Sequence, residues 1–186
     1  MKHREQMLRV GGHHQRRWRI AVWGLAAALL ALPGLAMQFS SEVRWGVFDF
    51  IVFALMLLCA CGGYELAQQL RPGNGSQRAA VCVAIAGGFL LVWMNLAVGL
   101  IGEPDDPANL MFAGVLLIGL LGAALTRLRP GAMAGVLLAM AAAQALAAGV
   151  AALAGWRLPP LASLFFIALW LLSAQLFRRA AARAAV

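Results

Sequence analysis

Residues 79–101, with the sequence AAVCVAIAGGFLLVWMNLAVGLI, contain no charged side chain. An α-helix of about 20 apolar residues is long enough to cross the hydrocarbon core of a bilayer, so this stretch predicts a transmembrane helix. Five more apolar stretches lie on either side of it. Together they predict an all-α, polytopic integral membrane protein built as a six-helix transmembrane bundle. The predicted spans are residues 20–38, 46–66, 79–101, 107–125, 132–155 and 161–177.

The composition indicates that lipid is the solvent of this chain. Of its 186 residues, 63% are hydrophobic and 12% are charged, whereas soluble domains contain about 45–50% apolar and about 25% charged residues. Lys and Arg outnumber Asp and Glu by 15 to 7. The basic residues lie at the ends of the predicted helices, where they determine topology. This distribution argues against a nucleic-acid-binding surface, and it makes the lipid bilayer the first expected partner.

The basic residues also predict an orientation. If the N-terminus lies in the cytoplasm, only Arg44 and Arg157 of the 15 Lys and Arg residues fall outside. Because Lys and Arg accumulate in cytoplasmic segments, both termini are predicted to be cytoplasmic. Residues 1–19 then form a basic cytoplasmic tail, with any helix there broken at Gly11 and Gly12. Residues 178–186 form a basic cytoplasmic C-terminus.

The first apolar stretch leaves a second interpretation open. The small residues around Gly34-Leu35-Ala36 are spaced as in the cleavage site of a signal peptide. The stretch is longer than the apolar core of a usual signal peptide, and five more spans follow it. These features favour an uncleaved first helix.

Small residues recur on the predicted helices at spacings that allow close packing. Lipid gives no hydrophobic drive for helix association, so close backbone approach becomes important. Four-residue stripes on the third and fifth helices, and two glycines on the fourth, therefore predict helix contacts, with the fifth helix at the centre. A GC-rich genome is the alternative explanation for single alanines. The stripes are Ala80, Ala84 and Gly88, then Gly135, Ala139, Ala143, Ala147 and Ala151, and the two glycines are Gly119 and Gly122.

Polar side chains near the outer face form the candidate site. Carboxylate and amide oxygens bind hard cations such as calcium or magnesium, but no known ligand spacing is present. Asp49 has a simpler interpretation as a first-turn acid that the helix dipole favours. Asp106 and Pro107 predict a helix start, with Asp at N-cap and Pro at N1. The side chains predicted to converge are Asp49, Asn95, Glu103, Asp105 and Asn109.

Within the spans, Gln144 lies in the middle of the fifth predicted helix. It is predicted to hydrogen-bond to a neighbouring helix, with a contribution of about 0.6–2 kcal/mol in lipid. Cys59, Cys61 and Cys82 all fall in apolar stretches and are interpreted as small packing residues. The sequence contains no nucleophile elbow, phosphate loop, HExxH or ligand-spaced CxxC motif. No catalytic set, metal site or cofactor is therefore predicted.

The stretch WMNLAVGLIGEPDDPANLMF at residues 93–112, preceded by Phe48-Asp49-Phe50 and Tyr64-Glu65-Leu66, resembles an uncharacterised family of small multipass bacterial inner-membrane proteins. The resemblance covers about the second to the fifth predicted helix. It implies the helix count, a bacterial origin and a location in the inner (plasma) membrane. It implies no reaction.

Three functions are compatible with these features. The first is a non-enzymatic accessory or assembly protein that acts through helix contacts with another membrane protein or with a second copy. It rests on the short loops, the small-residue stripes and the sparse buried charge. The second is a small transporter or channel with an outward-facing acidic cation site. The third, a membrane-embedded enzyme acting on lipid, has no recognisable catalytic set.

Overall fold

The computed structural model describes residues 2–39, 44–157 and 159–184, with side chains from Arg19 onwards. The regular structure of these residues is helical, and they contain no strand. A 3-10 turn spans Pro107–Asn109. Six helices are long and apolar enough to cross a membrane, which confirms the predicted class. They are α1 (Lys2–Phe39), α2 (Val47–Leu70), α3 (Gly75–Ala97), α4 (Leu110–Thr126), α5 (Pro130–Leu153) and α6 (Pro160–Ala184).

The chain divides into two units, residues 1–62 and residues 63–186. In the first unit, α1 continues through Gly11 and Gly12, so the predicted break at these glycines is wrong. A glycine costs a helix only about 1 kcal/mol relative to alanine, which does not force a break. Within this unit the Trp45 ring packs edge-on against the rings of Phe50 and Phe53, with centroids 5.3 and 5.4 Å away.

The second unit is built from the end of α2, from Gly63 onwards, and from α3, α4, α5 and α6. Helix α6 packs against both α3 and α5, and α4 packs against α5. Glycines allow these helices to come close. Met140 and Val136 of α5 lie against Gly119 and Gly122 of α4, as the sequence predicted. The largest fully buried side chains of the core are Trp170, Phe112, Phe166 and Phe177.

A hydrogen bond and an aromatic contact join α6 to α3. The Ser173 hydroxyl donates to the carbonyl of Ala80 over 2.8 Å, and both residues are fully buried. One turn away, the Trp170 ring covers Gly87, where an added Cβ would lie 2.9 Å from the ring. Ala80, a member of the predicted α3 stripe, is thus a point of close approach.

The stripe on α5 behaves differently along its length. Ala147 and Ala151 are buried and Ala143 is half-buried, but Gly135 and Ala139 are exposed. With 3.6 residues per turn, a four-residue step rotates by about 40° around the helix axis, so a long stripe leaves the buried face. Helix α5, predicted to lie at the centre, packs against both α4 and α6 but leaves one side exposed.

Two helix ends also differ from the prediction. Helix α3 ends at Ala97, because Gly99 adopts a positive φ of 73°. Leu100 and Ile101, predicted as the last residues of that helix, instead fold into the core. Helix α6 runs seven residues past Phe177, to Ala184. This extension is tied to the start of α3, because the Arg183 guanidinium donates to the Ser76 hydroxyl over 2.9 Å.

The close contact between α3 and α6 predicts that one added methyl group lowers the stability of the protein. Gly87→Ala places a Cβ 2.9–3.0 Å from the buried Trp170 ring, and overpacking of this kind costs about 1–3 kcal/mol. The matched control is Gly114→Ala on α4, where an added Cβ meets nothing within 4 Å. Thermal unfolding in detergent is expected to show a lower midpoint for Gly87→Ala alone. Equal midpoints for the two variants would contradict this packing.

Candidate functional site

The connection between α3 and α4 is a folded cap whose backbone is held by Asn109. The Asn109 Oδ1 accepts hydrogen bonds from the Leu100 and Ile101 amides over 3.1 and 2.9 Å. Its Nδ2 donates to the carbonyls of Ile101 and Glu103 over 3.1 and 2.8 Å. An asparagine side chain has two donor hydrogens and two acceptor lone pairs, so these four bonds use its whole capacity. Asn109 therefore shapes the loop and has no free group for a ligand.

Asp106 caps the 3-10 turn that follows the loop, as the sequence predicted. It is the N-cap of Pro107–Asn109, and its Oδ1 accepts a hydrogen bond from the Ala108 amide over 2.9 Å. Pro107 occupies the first position of the turn, where no amide hydrogen is needed. The predicted helix start is confirmed. The same loop is joined to the α5–α6 connection, because the Gly102 amide donates to the Arg157 carbonyl over 3.2 Å.

A cleft of about 450 Å³ lies between α3, α4 and this loop. Apolar side chains of α3 and α4 form most of its wall, including Val92, Leu96 and Leu116. The loop closes one end of the cleft with Pro104 and Asp105. A space of this size lies within the range of small-molecule sites, about 300–1,000 Å³.

The cleft gathers three of the five side chains that were predicted to converge. Asn95, Asp105 and Asn109 line it. Glu103 lies on the outer surface of the loop, where it shares a shallow depression with Asp105. Asp49 belongs to the first unit, and its Oδ2 accepts a hydrogen bond from the Gly46 amide over 2.7 Å. This is the first-turn role that the helix dipole favours, and the convergence of Asp49 with the others stays a prediction.

Asn95 is only partly satisfied by its neighbours. Its Nδ2 donates to the Leu91 carbonyl over 2.8 Å, one turn earlier on α3. Its Oδ1 is buried and accepts no hydrogen bond from a described residue. Within the described ranges, no group of three or more His, Cys, Asp or Glu side chains is arranged to hold a metal ion.

Gln144 occupies the centre of the buried face of α5 and is fully buried. The predicted hydrogen bond to a neighbouring helix is not formed, because neither amide atom has a partner among the described residues. The Trp170 indole Nε1 and the Ser163 hydroxyl on α6 are also buried without a partner there. A buried hydrogen bond between two helices comes instead from Ser173, which the sequence analysis missed because a single serine stands out little in an apolar run.

The burial of Gln144 predicts that an apolar side chain of the same shape is tolerated or preferred. Gln144→Met removes two unsatisfied polar atoms, and each such group costs about 1–3 kcal/mol when buried. We expect a higher unfolding midpoint for Gln144→Met in detergent. Gln144→Ala, which leaves a cavity, serves as the control and is expected to lower the midpoint. A lower midpoint for Gln144→Met as well would show that the amide has a polar partner.

No protein-family model, curated protein or solved structure matches the chain. The resemblance of residues 93–112 to uncharacterised bacterial proteins therefore stays an expectation.

Proposed function

We propose that this chain is a non-enzymatic accessory or assembly protein of a bacterial inner membrane. In this proposal it binds a transmembrane helix of a second membrane protein on the exposed face of α5. The observation that carries the proposal is the composition of that face, which is rich in glycine and alanine.

The exposed face of α5 is formed by Gly135, Ala139, Ala142, Ala145 and Gly149. A Cβ added at Gly135 or Gly149 would meet nothing within 4 Å, so the space beside the backbone is open. The large side chains that project from this face are Leu146 and, near the end of the helix, Leu153, which are 70% and 92% exposed. The face is thus a shallow surface of small residues with projecting leucines towards one end.

Such a surface suits a helix better than lipid tails. Helices in membranes associate through van der Waals packing, and small residues let two backbones approach closely. The same residue types already serve this purpose within the protein, where α5 packs on Gly119 and Gly122 of α4. A partner helix on the α5 face would make contacts of the same kind, with Leu146 packing between its side chains.

The distribution of charge supports an orientation with both termini in the cytoplasm. At one end of the second unit lie the start of α3, the α4–α5 connection and the end of α6, together with seven exposed arginines. The opposite end carries the three acids of the α3–α4 loop and one basic residue, Arg157. Lys and Arg are retained on the cytoplasmic side of bacterial membranes. The seven arginines are Arg71, Arg78, Arg127, Arg129, Arg178, Arg179 and Arg183.

This orientation predicts the labelling of single cysteines in intact cells. In a background without native cysteines, a membrane-impermeant maleimide is expected to label Arg157→Cys. It should label Arg129→Cys only after the cells are opened. Labelling of Arg129→Cys in intact cells would contradict the orientation.

The helix-binding role predicts a specific loss of a partner. Ala139→Leu and Ala142→Leu fill the exposed α5 face without reaching the core of the second unit. Native mass spectrometry of the gently extracted protein is expected to show a partner subunit with the natural sequence and its loss with these variants. Ala168→Leu, an exposed position on α6, is the matched control and should retain the partner. A chain that carries no partner, or loses it equally with Ala168→Leu, would refute the role.

An outward-facing cation site is the second candidate and has less support. Two of the side chains that would supply its oxygen ligands, Asn109 and Asp49, are engaged in local hydrogen bonds. An enzyme acting on lipid has no feature of the described residues in its favour.

A further inference from the structure

The end of α6 carries two arginines that lie side by side along one edge of the helix. Arg179 and Arg183 are four residues apart, and both are exposed. Residues at this spacing are neighbours on a helix surface, and two like charges there destabilise the helix. An anion bound between the two guanidinium groups removes this repulsion.

The two helices that border this pair supply no such anion. Helix α3 begins beside the pair, since the Arg183 guanidinium donates to the Ser76 hydroxyl over 2.9 Å and the Asn74 Nδ2 donates to the Ala180 carbonyl over 3.1 Å. Neither α3 nor α6 contains an acidic residue. Three of the four acids of the second unit lie in the α3–α4 loop, at the opposite end.

The hydrogen bond to Ser76 also fixes where the Arg183 guanidinium lies. One of its nitrogens is held by the hydroxyl, and the remaining N–H donors of the planar group stay available at the surface. Arginine donors in this arrangement match the oxygens of a phosphate group, to which they form charge-assisted hydrogen bonds. The pair is therefore suited to the phosphate of a lipid head group.

An apolar edge of α6 leads from the arginines into the membrane span. Starting at Arg179 and going back along the helix in alternating steps of three and four residues, each position is apolar, and this spacing keeps the positions on one side. They are Leu176, Leu172, Leu169 and Phe165. Leu172 and Phe165 are each 47% exposed. Leu169 borders α3, because a Cβ added at Gly87 would lie 3.5 Å from it.

We propose that this edge of α6 binds a phospholipid with a negatively charged head group, of the phosphatidylglycerol class. The phosphate lies between Arg179 and Arg183, and one acyl chain lies along the apolar edge towards Phe165. The bilayer is the source of the ligand because the arginines directly follow the apolar part of α6. Phosphatidylethanolamine binds less tightly, because the arginines repel its ammonium group. The site is separate from the helix-binding face of α5, so either proposal can fail without the other.

The test compares arginines at different places on the second unit. Purified protein in detergent is titrated with phosphatidylglycerol and, separately, with phosphatidylethanolamine, and bound lipid is counted by native mass spectrometry. The natural sequence is expected to prefer phosphatidylglycerol. One arginine near anionic lipid strengthens binding about fivefold, so Arg179→Gln and Arg183→Gln should each reduce the preference by that factor. Arg129→Gln makes the same change of charge at the same end of the unit, but at the start of α5, and should leave the preference unchanged.

A second pair of variants tests the place of the acyl chain. Leu172→Asn is expected to weaken the retention of both lipids. Leu164→Asn, at an exposed leucine on another side of α6, should not. Soluble glycerol phosphate, which has the phosphate without acyl chains, should not displace the bound lipid.

Four results would overturn the proposal. Equal effects of Arg129→Gln and Arg179→Gln would show a diffuse attraction to the whole basic end of the unit. Equal retention of the two lipids by the natural sequence would show that the head group is not recognised. Equal effects of Leu172→Asn and Leu164→Asn, or displacement of the lipid by glycerol phosphate, would show that no acyl chain lies on this edge.

Discussion

The second unit depends on the contact of Trp170 with Gly87. This contact brings α6 close enough to α3 for Ser173 to reach the backbone of Ala80. In lipid, such close approach takes the place of the hydrophobic effect, which cannot distinguish a leucine of another helix from a lipid tail. Once α6 lies on α3, its other side is available to α5, and α5 in turn packs on the two glycines of α4. The order of helices in the unit therefore follows from where small residues permit contact.

The role of small residues in close helix packing also explains the composition of the exposed face of α5. The buried side of α5 carries Leu137, Met140 and Gln144, and its exposed side carries mainly glycine and alanine beside Leu146 and Leu153. A surface that only faced lipid would gain nothing from this choice, because small side chains leave lipid tails loosely packed. The proposed partner helix accounts for both the small residues and the open space.

Much of this architecture could be predicted from the sequence, because spans in a bilayer are decided by long apolar runs and their ends by charged or capping residues. The six helices and the start at Asp106 and Pro107 follow from such signals. The end of α3 does not, because Leu100 and Ile101 continue the apolar run beyond Gly99 and only the folded loop shows that they turn back into the core. The role of Asn109 was also hidden. Asparagine can either bind a cation or hydrogen-bond to backbone groups, and the sequence does not distinguish these two roles. The four hydrogen bonds of Asn109 do distinguish them.

The burial of Gln144 and the exposure of Gly135 have a common cause. Both depend on how α5 is rotated about its axis. Because an α-helix has 3.6 residues per turn, residues spaced by four stay on the face towards one neighbour for only about two turns. The helices that pack against α5 decide which of its faces is buried. Sequence periodicity alone could not predict the positions of those helices. The mixed environment of α5, with one buried and one open small-residue surface, is thus a property of the packed unit.

The most direct test of the helix-binding role is site-specific photocrosslinking in native membranes. A photoreactive residue at position 142 on the open face of α5 is compared with one at position 168 on α6. The proposed function predicts a discrete protein adduct from position 142 and lipid adducts alone from position 168. Lipid adducts alone from both positions, or the same protein adduct from both, would contradict a helix-binding surface on α5.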